Sequence, residues 1–156
     1  MINIIVACGK NRIIGKNGKL PWNIKEDWEY FMQKTETGTM IMGRTCFQEF
    51  EPLANQRNVI ALTRDRLHKF KSARTAHSLN QAISLVKNQP IWICGGEDLY
   101  REAIPLAHRL YITEIDEEFS GNVHFPEWKS HFKKLISRKK IDSGKYSLEF
   151  LVYEKV

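Results

Sequence analysis

Short apolar segments alternate with helical patterns along the chain, and this alternation restricts the fold more than any other feature of the sequence. Strands are predicted at residues 2–8, 39–42, 59–63, 91–94 and 110–115. Helical patterns are found at residues 24–35, after Gly43, from Ser78 as an N-cap, and from Glu97 to near Pro105. Strands separated by short helices need crossover connections, so we expect a mostly parallel sheet covered by helices on both faces.

The end of the chain has a different pattern, one that is typical of a β-hairpin. Residues 135–141 and 146–154 alternate around a turn sequence at residues 142–145. No repeat, low-complexity stretch or linker indicates a domain boundary. We therefore predict an α/β fold with one domain, residues 1–156. Its central sheet is mostly parallel, with an antiparallel C-terminal hairpin strand and helices on both faces.

The composition excludes several classes of protein. Apolar residues make up 42% of the 156 residues and charged residues 27%, the balance of a globular chain rather than a disordered one. No apolar run approaches the ~18 residues of a membrane span, and the amino terminus lacks the pattern of a signal peptide. Three cysteines without a CxxC pair and five scattered histidines favour neither a disulfide framework nor a metal site. We expect a cytoplasmic protein with no membrane partner and no bound metal.

The net charge of +6 favours an anionic partner without specifying which kind. The densest basic cluster is formed by Lys133, Lys134, Arg138, Lys139 and Lys140. A solvated edge strand explains this cluster better than a nucleic-acid groove, which would have aromatic residues between the basic ones. The alternative that the positive charge serves a small anionic ligand is left open.

Two kinds of motif follow predicted strands, where parallel sheets bind their ligands. Gly95-Gly96 joins a strand to a helix and allows the backbone to approach a phosphate, although a tight turn explains the pair equally well. Arg44 and Arg64 each follow a strand end and together suit a phosphate monoester. Arg57 is either a clamp for a carboxylate or phosphate, or a solvated loop residue.

Asp27 is the candidate for acid–base chemistry. At ~100° per residue, Ile24, Trp28 and Phe31 share one helical face, and Asp27 lies only ~60° from its centre. A carboxylate beside apolar residues is costly without a partner. It follows a rigid Leu-Pro-Trp segment that ends a long loop, residues 9–23, and loops of this length are commonly lids. A salt bridge or a first-turn acid favoured by the helix dipole is the structural alternative.

In their order and spacing, these features resemble bacterial dihydrofolate reductases over essentially the whole chain. The matching segments are Ile13-Ile14-Gly15, Leu20-Pro21-Trp22 followed by Asp27, Met42-Gly43-Arg44, Leu62-Thr63-Arg64, Gly95-Gly96 with Tyr100, Tyr111-Ile112-Thr113 and His124-Phe125-Pro126. The resemblance implies reduction of 7,8-dihydrofolate to tetrahydrofolate by NADPH, with hydride transfer to pterin C6 and a proton delivered to N5.

The resemblance implies a substrate site in which Asp27 is the only ionisable group facing the pterin. Its carboxylate accepts hydrogen bonds from the pterin N3 and 2-amino groups, promotes protonation of N5 through solvent, and is bonded by Thr113. Desolvation is expected to raise its pKa. Leu20 and Trp22 complete the implied catalytic set. The other implied substrate contacts are Ile5, Ala7, Trp28, Phe31, Phe50, Cys94 and Tyr100, with Arg57 on the α-carboxylate of the glutamyl tail.

The resemblance also implies the residues that bind NADPH. Ala7, Ile14 and Leu20 border the nicotinamide. The pyrophosphate meets Gly95, Gly96, Glu97, Asp98, Leu99 and Tyr100, and in the family a cis peptide joins the two glycines. The adenosine 2′-phosphate is bound by Arg44, Thr63 and Arg64 with His77, and the set is completed by Gly15, Gly43, Thr45, Cys46 and Leu62.

Some positions depart from the family pattern. Cys46 stands where a threonine is usual, Asn122 replaces an aspartate in the loop that braces the lid, and Trp28 is bulkier than usual. Glu97 and Asp98 would repel a pyrophosphate, so we expect their side chains to point to solvent.

The expected partners are dihydrofolate and antifolate inhibitors, with no nucleic acid, and the expected state is a monomer. A reductase of a ribosylated pyrimidine on the same scaffold is the rival enzyme; it would have no reason to retain Asp27. A binding protein for nucleotides or nucleic acid is the rival outside enzymes, and the late basic cluster alone supports it.

Overall fold

A computed structural model describes residues 1–15 and 20–155 of the chain. The strands of this described part are β1 (Ile2–Gly9), β2 (Ile13–Gly15), β3 (Thr39–Gly43), β4 (Val59–Leu62), β5 (Arg74–Ala76), β6 (Ile91–Ile93), β7 (Arg109–Ile115), β8 (Val123–His124), β9 (Phe132–Asp142) and β10 (Ser147–Lys155). Its α-helices are α1 (Lys25–Lys34), α2 (Arg44–Phe50), α3 (Leu79–Ser84) and α4 (Glu97–Ala103), and Glu51–Gln56 forms a 3₁₀ helix.

Eight of these strands form one sheet in the order β5-β4-β3-β6-β1-β7-β10-β9. The pairings from β5 to β7 are parallel, whereas β10 pairs antiparallel with both β7 and β9. The α/β prediction is therefore confirmed: a central mostly parallel sheet is extended by an antiparallel C-terminal hairpin. Register places Ala7 opposite Thr113 and Gly43 opposite Leu62, which brings the ends of neighbouring strands together.

Some elements differ from the predicted ones in length or were not predicted. Strands β2, β5 and β8 have two or three residues each, too few for a periodic pattern to be visible. Strand β9 begins at Phe132, three residues earlier than the predicted strand at residues 135–141. The predicted N-cap is confirmed, because the Ser78 hydroxyl accepts a hydrogen bond of 3.0 Å from the Gln81 backbone N–H.

Strand β1 divides its side chains between the core and the ligand side of the sheet. Ile4 and Cys8 pack in the largest buried cluster, together with Ile93 of β6. Ile5 and Ala7, which point to the opposite face, line a cavity. Within residues 1–15 and 20–155, no helix is long and apolar enough to cross a membrane.

Candidate active site

A cavity of about 300 Å³ opens where the parallel strands end at their carboxyl side. Its lining contains much of the site that the sequence predicted. Those lining residues are Ile5, Ala7, Ile14, Gly15, Leu20, Asp27, Trp28, Phe31, Thr45, Cys46, Phe50, Cys94, Gly95, Gly96, Tyr100 and Thr113. Apart from Leu20, these residues come from three strands (β1, β2 and β7), from three helices (α1, α2 and α4) and from the loop after β6, and they meet at this one cavity, as expected for a sheet of this class.

Other predicted residues lie outside the lining of this cavity. They are Trp22, Gly43, Arg44, Arg57, Leu62, Thr63, Arg64, His77, Glu97, Asp98 and Leu99. Trp22 lies behind Asp27 and Leu99 is buried in the core. The remaining residues except Arg57 lie at or just after the carboxyl ends of β3, β4, β5 and β6, along the same edge of the sheet. Arg57 lies between the 3₁₀ helix and the start of β4.

The cavity also contains residues that the sequence reasoning missed: Val6, Tyr30, Met42, Glu49 and Val123. Glu49 was detectable, since it lies three residues after Cys46 and so shares its face of α2. Val123 was not, because β8 is too short to predict. Glu49 lines the cavity but is exposed, whereas Asp27 is buried. That Asp27 is the only ionisable group facing the pterin stays a prediction.

Asp27 is the buried residue of α1, with 9% of its surface exposed. Trp28, by contrast, is 43% exposed, because its face of the helix lies against the cavity rather than a filled core. The Trp22 indole Nε1–H donates a hydrogen bond of 3.1 Å to Asp27 Oδ2. Burial raises the pKa of Asp27 to about 6, and the bond from Trp22 opposes that rise.

The partner of Asp27 distinguishes the two interpretations of this carboxylate. Among the described residues, no cation forms a salt bridge with it. Within the same part of the chain, its side-chain hydrogen bond comes from Trp22 and not from Thr113, which was expected to make one. Thr113 is buried and lines the same cavity. A buried acid without a cation is the arrangement that retains a proton near neutral pH.

Three aromatic rings form one wall of the cavity. The centroids of Trp28 and Phe31 are 5.6 Å apart in a stacked pair, and Phe50 lies 6.5 Å from Trp28 and 6.3 Å from Phe31. Rings at these distances and angles form a stable apolar surface, which suits a planar aromatic ligand.

Two thiols and a tyrosine form the floor near the glycine pair. The Cys46 thiol donates to the Cys94 carbonyl oxygen at 3.5 Å, and the Tyr100 hydroxyl donates to the Ile5 carbonyl oxygen at 2.8 Å. Burial raises the pKa of Cys46 to about 12 and that of Cys94 well above its ordinary value. Both thiols are therefore protonated at neutral pH and act as wall atoms rather than nucleophiles.

The glycine pair brings backbone close to the cavity. The Gly95–Gly96 peptide is cis, as the resemblance implied, and Gly95 has a φ of +116° that disfavours any side chain. A Cβ on Gly96 would meet nothing within 4 Å, so the space beside it is open. The Gly43 N–H donates to the Gly95 carbonyl oxygen at 2.8 Å and joins the ends of β3 and β6.

Basic and polar residues follow the carboxyl ends of β3, β4 and β5, and one further arginine precedes β4. Arg44 and Arg64 are exposed and follow strands whose last residues are in register. Thr63 is buried, and its carbonyl oxygen lies 3.0 Å from His77 Nδ1. Arg57 follows the 3₁₀ helix, and its Nη1 is buried without a hydrogen-bond partner in the described part of the chain. An unpaired buried guanidinium nitrogen indicates a site for an anion.

The acids that follow the glycine pair have a partner that was not predicted. Arg101 Nη2 lies 2.7 Å from Glu97 Oε2, and Arg101 Nη1 lies 3.1 Å from Asp98 Oδ1. The expectation that both side chains simply point to solvent is therefore incomplete. Asp98 is strongly exposed, but both carboxylates are held by one guanidinium.

The loop that we predict to be a lid is described only in part. Residues 16–19 of the predicted lid lie outside the described residues. Strand β2 pairs with β8, and the Asn122 backbone N–H donates to the Gly15 carbonyl oxygen at 3.1 Å. The loop around Asn122 therefore contacts the first part of the lid segment.

Comparison with known proteins was made by sequence and by structure. The family model described as dihydrofolate reductase matches residues 1–155. The chain is 37% identical to a dihydrofolate reductase of Staphylococcus haemolyticus, covering 99% of this chain and 96% of that protein. It is 36% identical to a dihydrofolate reductase of Bacillus subtilis, covering 99% of this chain and 95% of the relative.

A solved structure agrees with these sequence matches. It is a dihydrofolate reductase from Enterococcus faecalis complexed with NADP(H) and RAB-propyl, which superposes with a TM-score of 0.91. The identity is 29%, and the match covers 99% of this chain and 96% of that one.

Proposed function

This chain belongs to the dihydrofolate reductase family, and we propose that Asp27 and the cavity around it carry the family reaction. That reaction is the NADPH-dependent reduction of 7,8-dihydrofolate to 5,6,7,8-tetrahydrofolate, with a hydride delivered to pterin C6 and a proton to N5. The single observation that carries the assignment to Asp27 is its burial at the cavity, where no cation of residues 1–15 and 20–155 forms a salt bridge with it. The rival reduction of a ribosylated pyrimidine is not favoured.

Asp27 holds the pterin and assists its protonation. Its carboxylate accepts from the N3 and 2-amino groups, while Trp22 holds Oδ2 from the other side. A pKa of about 6 keeps a fraction of the group protonated near neutral pH, so a proton can be passed to N5 through solvent. Thr113 and Leu20 line the same space and help to exclude bulk water.

The rest of the substrate is bound by the apolar wall and by one arginine. Ile5, Ala7 and the three aromatic rings enclose the pterin and the benzoyl ring, with Cys94 and Tyr100 at the floor. Arg57 binds the α-carboxylate of the glutamyl tail, and this role is supported by its Nη1, which is buried and has no hydrogen-bond partner among residues 1–15 and 20–155. The apolar shape of the cavity also suits antifolate inhibitors.

The residues present fit NADPH. The open space beside Gly96 leaves room for the pyrophosphate, which meets residues 95–100. Arg44, Arg64, Thr63 and His77 bind the 2′-phosphate, and the exposed positive charge at this edge supports that role. Ala7, Ile14, Gly15 and Leu20 border the nicotinamide, and Gly43, Thr45, Cys46 and Leu62 shape the rest of the cleft. When bound, NADPH supplies the hydride, and the chain supplies orientation and exclusion of water.

The state and location of the protein are part of the proposal. We infer a cytoplasmic monomer of one domain, residues 1–156, that does not bind nucleic acid. The basic strand β9 supports the last point, because its register sets Lys134 opposite Glu154 and Lys140 opposite Glu149. Arg138 also pairs with Glu149, so acidic side chains of β10 offset part of the basic cluster.

One assay tests the proposed function. NADPH oxidation is followed by near-ultraviolet absorbance with and without dihydrofolate, and methotrexate or trimethoprim is expected to inhibit it. Asp27→Asn is expected to retain NADPH binding and to lose about 10²–10⁴-fold in turnover at neutral pH, with partial recovery in acid as the substrate N5 becomes protonated. Glu29→Gln, an exposed acid of the same helix, is the control. Undiminished neutral activity of Asp27→Asn would refute the role of Asp27.

A further inference from the structure

Two acids directly follow the glycine pair that faces the cavity, and one arginine holds them both. Glu97 and Asp98 form the first turn of α4, and Arg101 lies four and three residues later on the same face. Their distances to the guanidinium are 2.7 Å and 3.1 Å. All three side chains are at least partly exposed. Exposed ion pairs contribute little to the free energy of unfolding, so a gain in stability does not explain this group of three charges.

The direction of these ion pairs matters more than their strength. A carboxylate in the first turn of a helix normally turns back toward the free backbone N–H groups there. Pairing with a residue three or four positions later draws the carboxylate the other way, toward the second turn. The backbone beside Gly96 is consequently left to an incoming anion, and the open space at Gly96 is consistent with this.

We propose that Arg101 is a positioning residue for the cofactor, which keeps Glu97 and Asp98 away from the backbone that the pyrophosphate of NADPH approaches. The inference rests on the proposed function, since it needs a dinucleotide at Gly95–Gly96. Arg101 itself does not contact the cofactor in this proposal. Arg101 acts through the two acids, and its positive charge also offsets part of their repulsion of the pyrophosphate.

The test is equilibrium binding of NADPH, followed by quenching of tryptophan fluorescence at low and at high salt. Arg101→Gln is expected to weaken NADPH binding about fivefold at low salt, with a smaller loss at high salt because exposed charges are screened. Glu97→Gln combined with Asp98→Asn is expected to bind NADPH at least as tightly as the wild type. Adding Arg101→Gln to that double variant should then cause no further loss, since no acid is left to restrain.

Two results of these binding measurements would contradict the role of Arg101. If Arg101→Gln binds NADPH as well as the wild type at low salt, the inference is wrong. If the triple variant loses as much affinity as the single one, Arg101 acts on the cofactor directly and the inference is also wrong. Methotrexate binding to the cofactor-free variants reports the integrity of the fold and is expected to be unchanged. A wild type that binds methotrexate but no NADPH would instead contradict the proposed function.

Discussion

The Trp22 indole N–H donates to Asp27 Oδ2 at 3.1 Å, across the junction between the lid segment and α1. Trp22 itself is buried among Ile115, Leu148 and Phe150, and its ring lies 4.9 Å from that of Phe119. The hydrogen bond therefore connects the Asp27 carboxylate to a side chain that is packed in the core. A donor to the ionised oxygen favours the anion, so this contact restrains the rise in pKa that burial causes.

Trp22→Phe is expected to raise the pKa of Asp27 further, because the substitution removes the donor and retains the burial. A hydrogen bond to a charged group is worth about 1.5–3 kcal/mol, which corresponds to a shift of about one unit or more. The measurement is the pH dependence of kcat, whose apparent pKa should move upward. Trp92→Phe is the control, since that indole donates to the Thr37 carbonyl oxygen instead. An unchanged profile in Trp22→Phe would show that this bond does not tune Asp27.

Burial of Asp27 is also expected to reduce the stability of the ligand-free protein. Its pKa is about 6 in the fold against an ordinary 3.8, so the fold disfavours the anion. The penalty is absent below the ordinary pKa, grows between the two values, and is complete above pH ~6 at about 3 kcal/mol. Asp27→Asn should therefore raise the free energy of unfolding in urea by about 2–3 kcal/mol at neutral pH, and by little in acid. A gain independent of pH would contradict this origin, and Glu29→Gln should show none.

The sequence predicted those parts of the site that depend on local spacing. Asp27 was identifiable because its place beside the apolar face of a helix follows from 3.6-residue periodicity. The Trp22 contact was not, because it depends on how the lid segment turns into α1. Arg101 could have been found, since pairs at i,i+3 and i,i+4 are visible in sequence. The pairing of β2 with β8 joins segments more than a hundred residues apart, and strands of two or three residues are too short for a sequence pattern to predict the pairing.

Two arginines at adjacent strand ends give a prediction about cofactor choice. Arg44→Ala combined with Arg64→Ala is expected to weaken NADPH binding about 10²-fold and NADH binding far less, because NADH lacks the 2′-phosphate. Dissociation constants for both cofactors measure the difference directly. Arg66→Ala, an exposed arginine two residues further along the same loop, is the control and should affect neither. Equal losses for the two cofactors would mean that these arginines do not bind the 2′-phosphate.

Arg57 offers a test of substrate orientation that is independent of Asp27. Its Nη1 is buried and lacks a hydrogen-bond partner in the described residues, so a carboxylate placed there would gain a charge-assisted bond. Arg57→Gln is expected to raise the KM for dihydrofolate by about 10–10²-fold with a much smaller change in kcat, since the glutamyl tail is remote from the reacting atoms. Dihydropteroate, which lacks that tail, should be reduced equally well by both proteins. If the variant handles dihydropteroate as poorly as dihydrofolate, Arg57 supports the fold of the cavity and not the tail of the substrate.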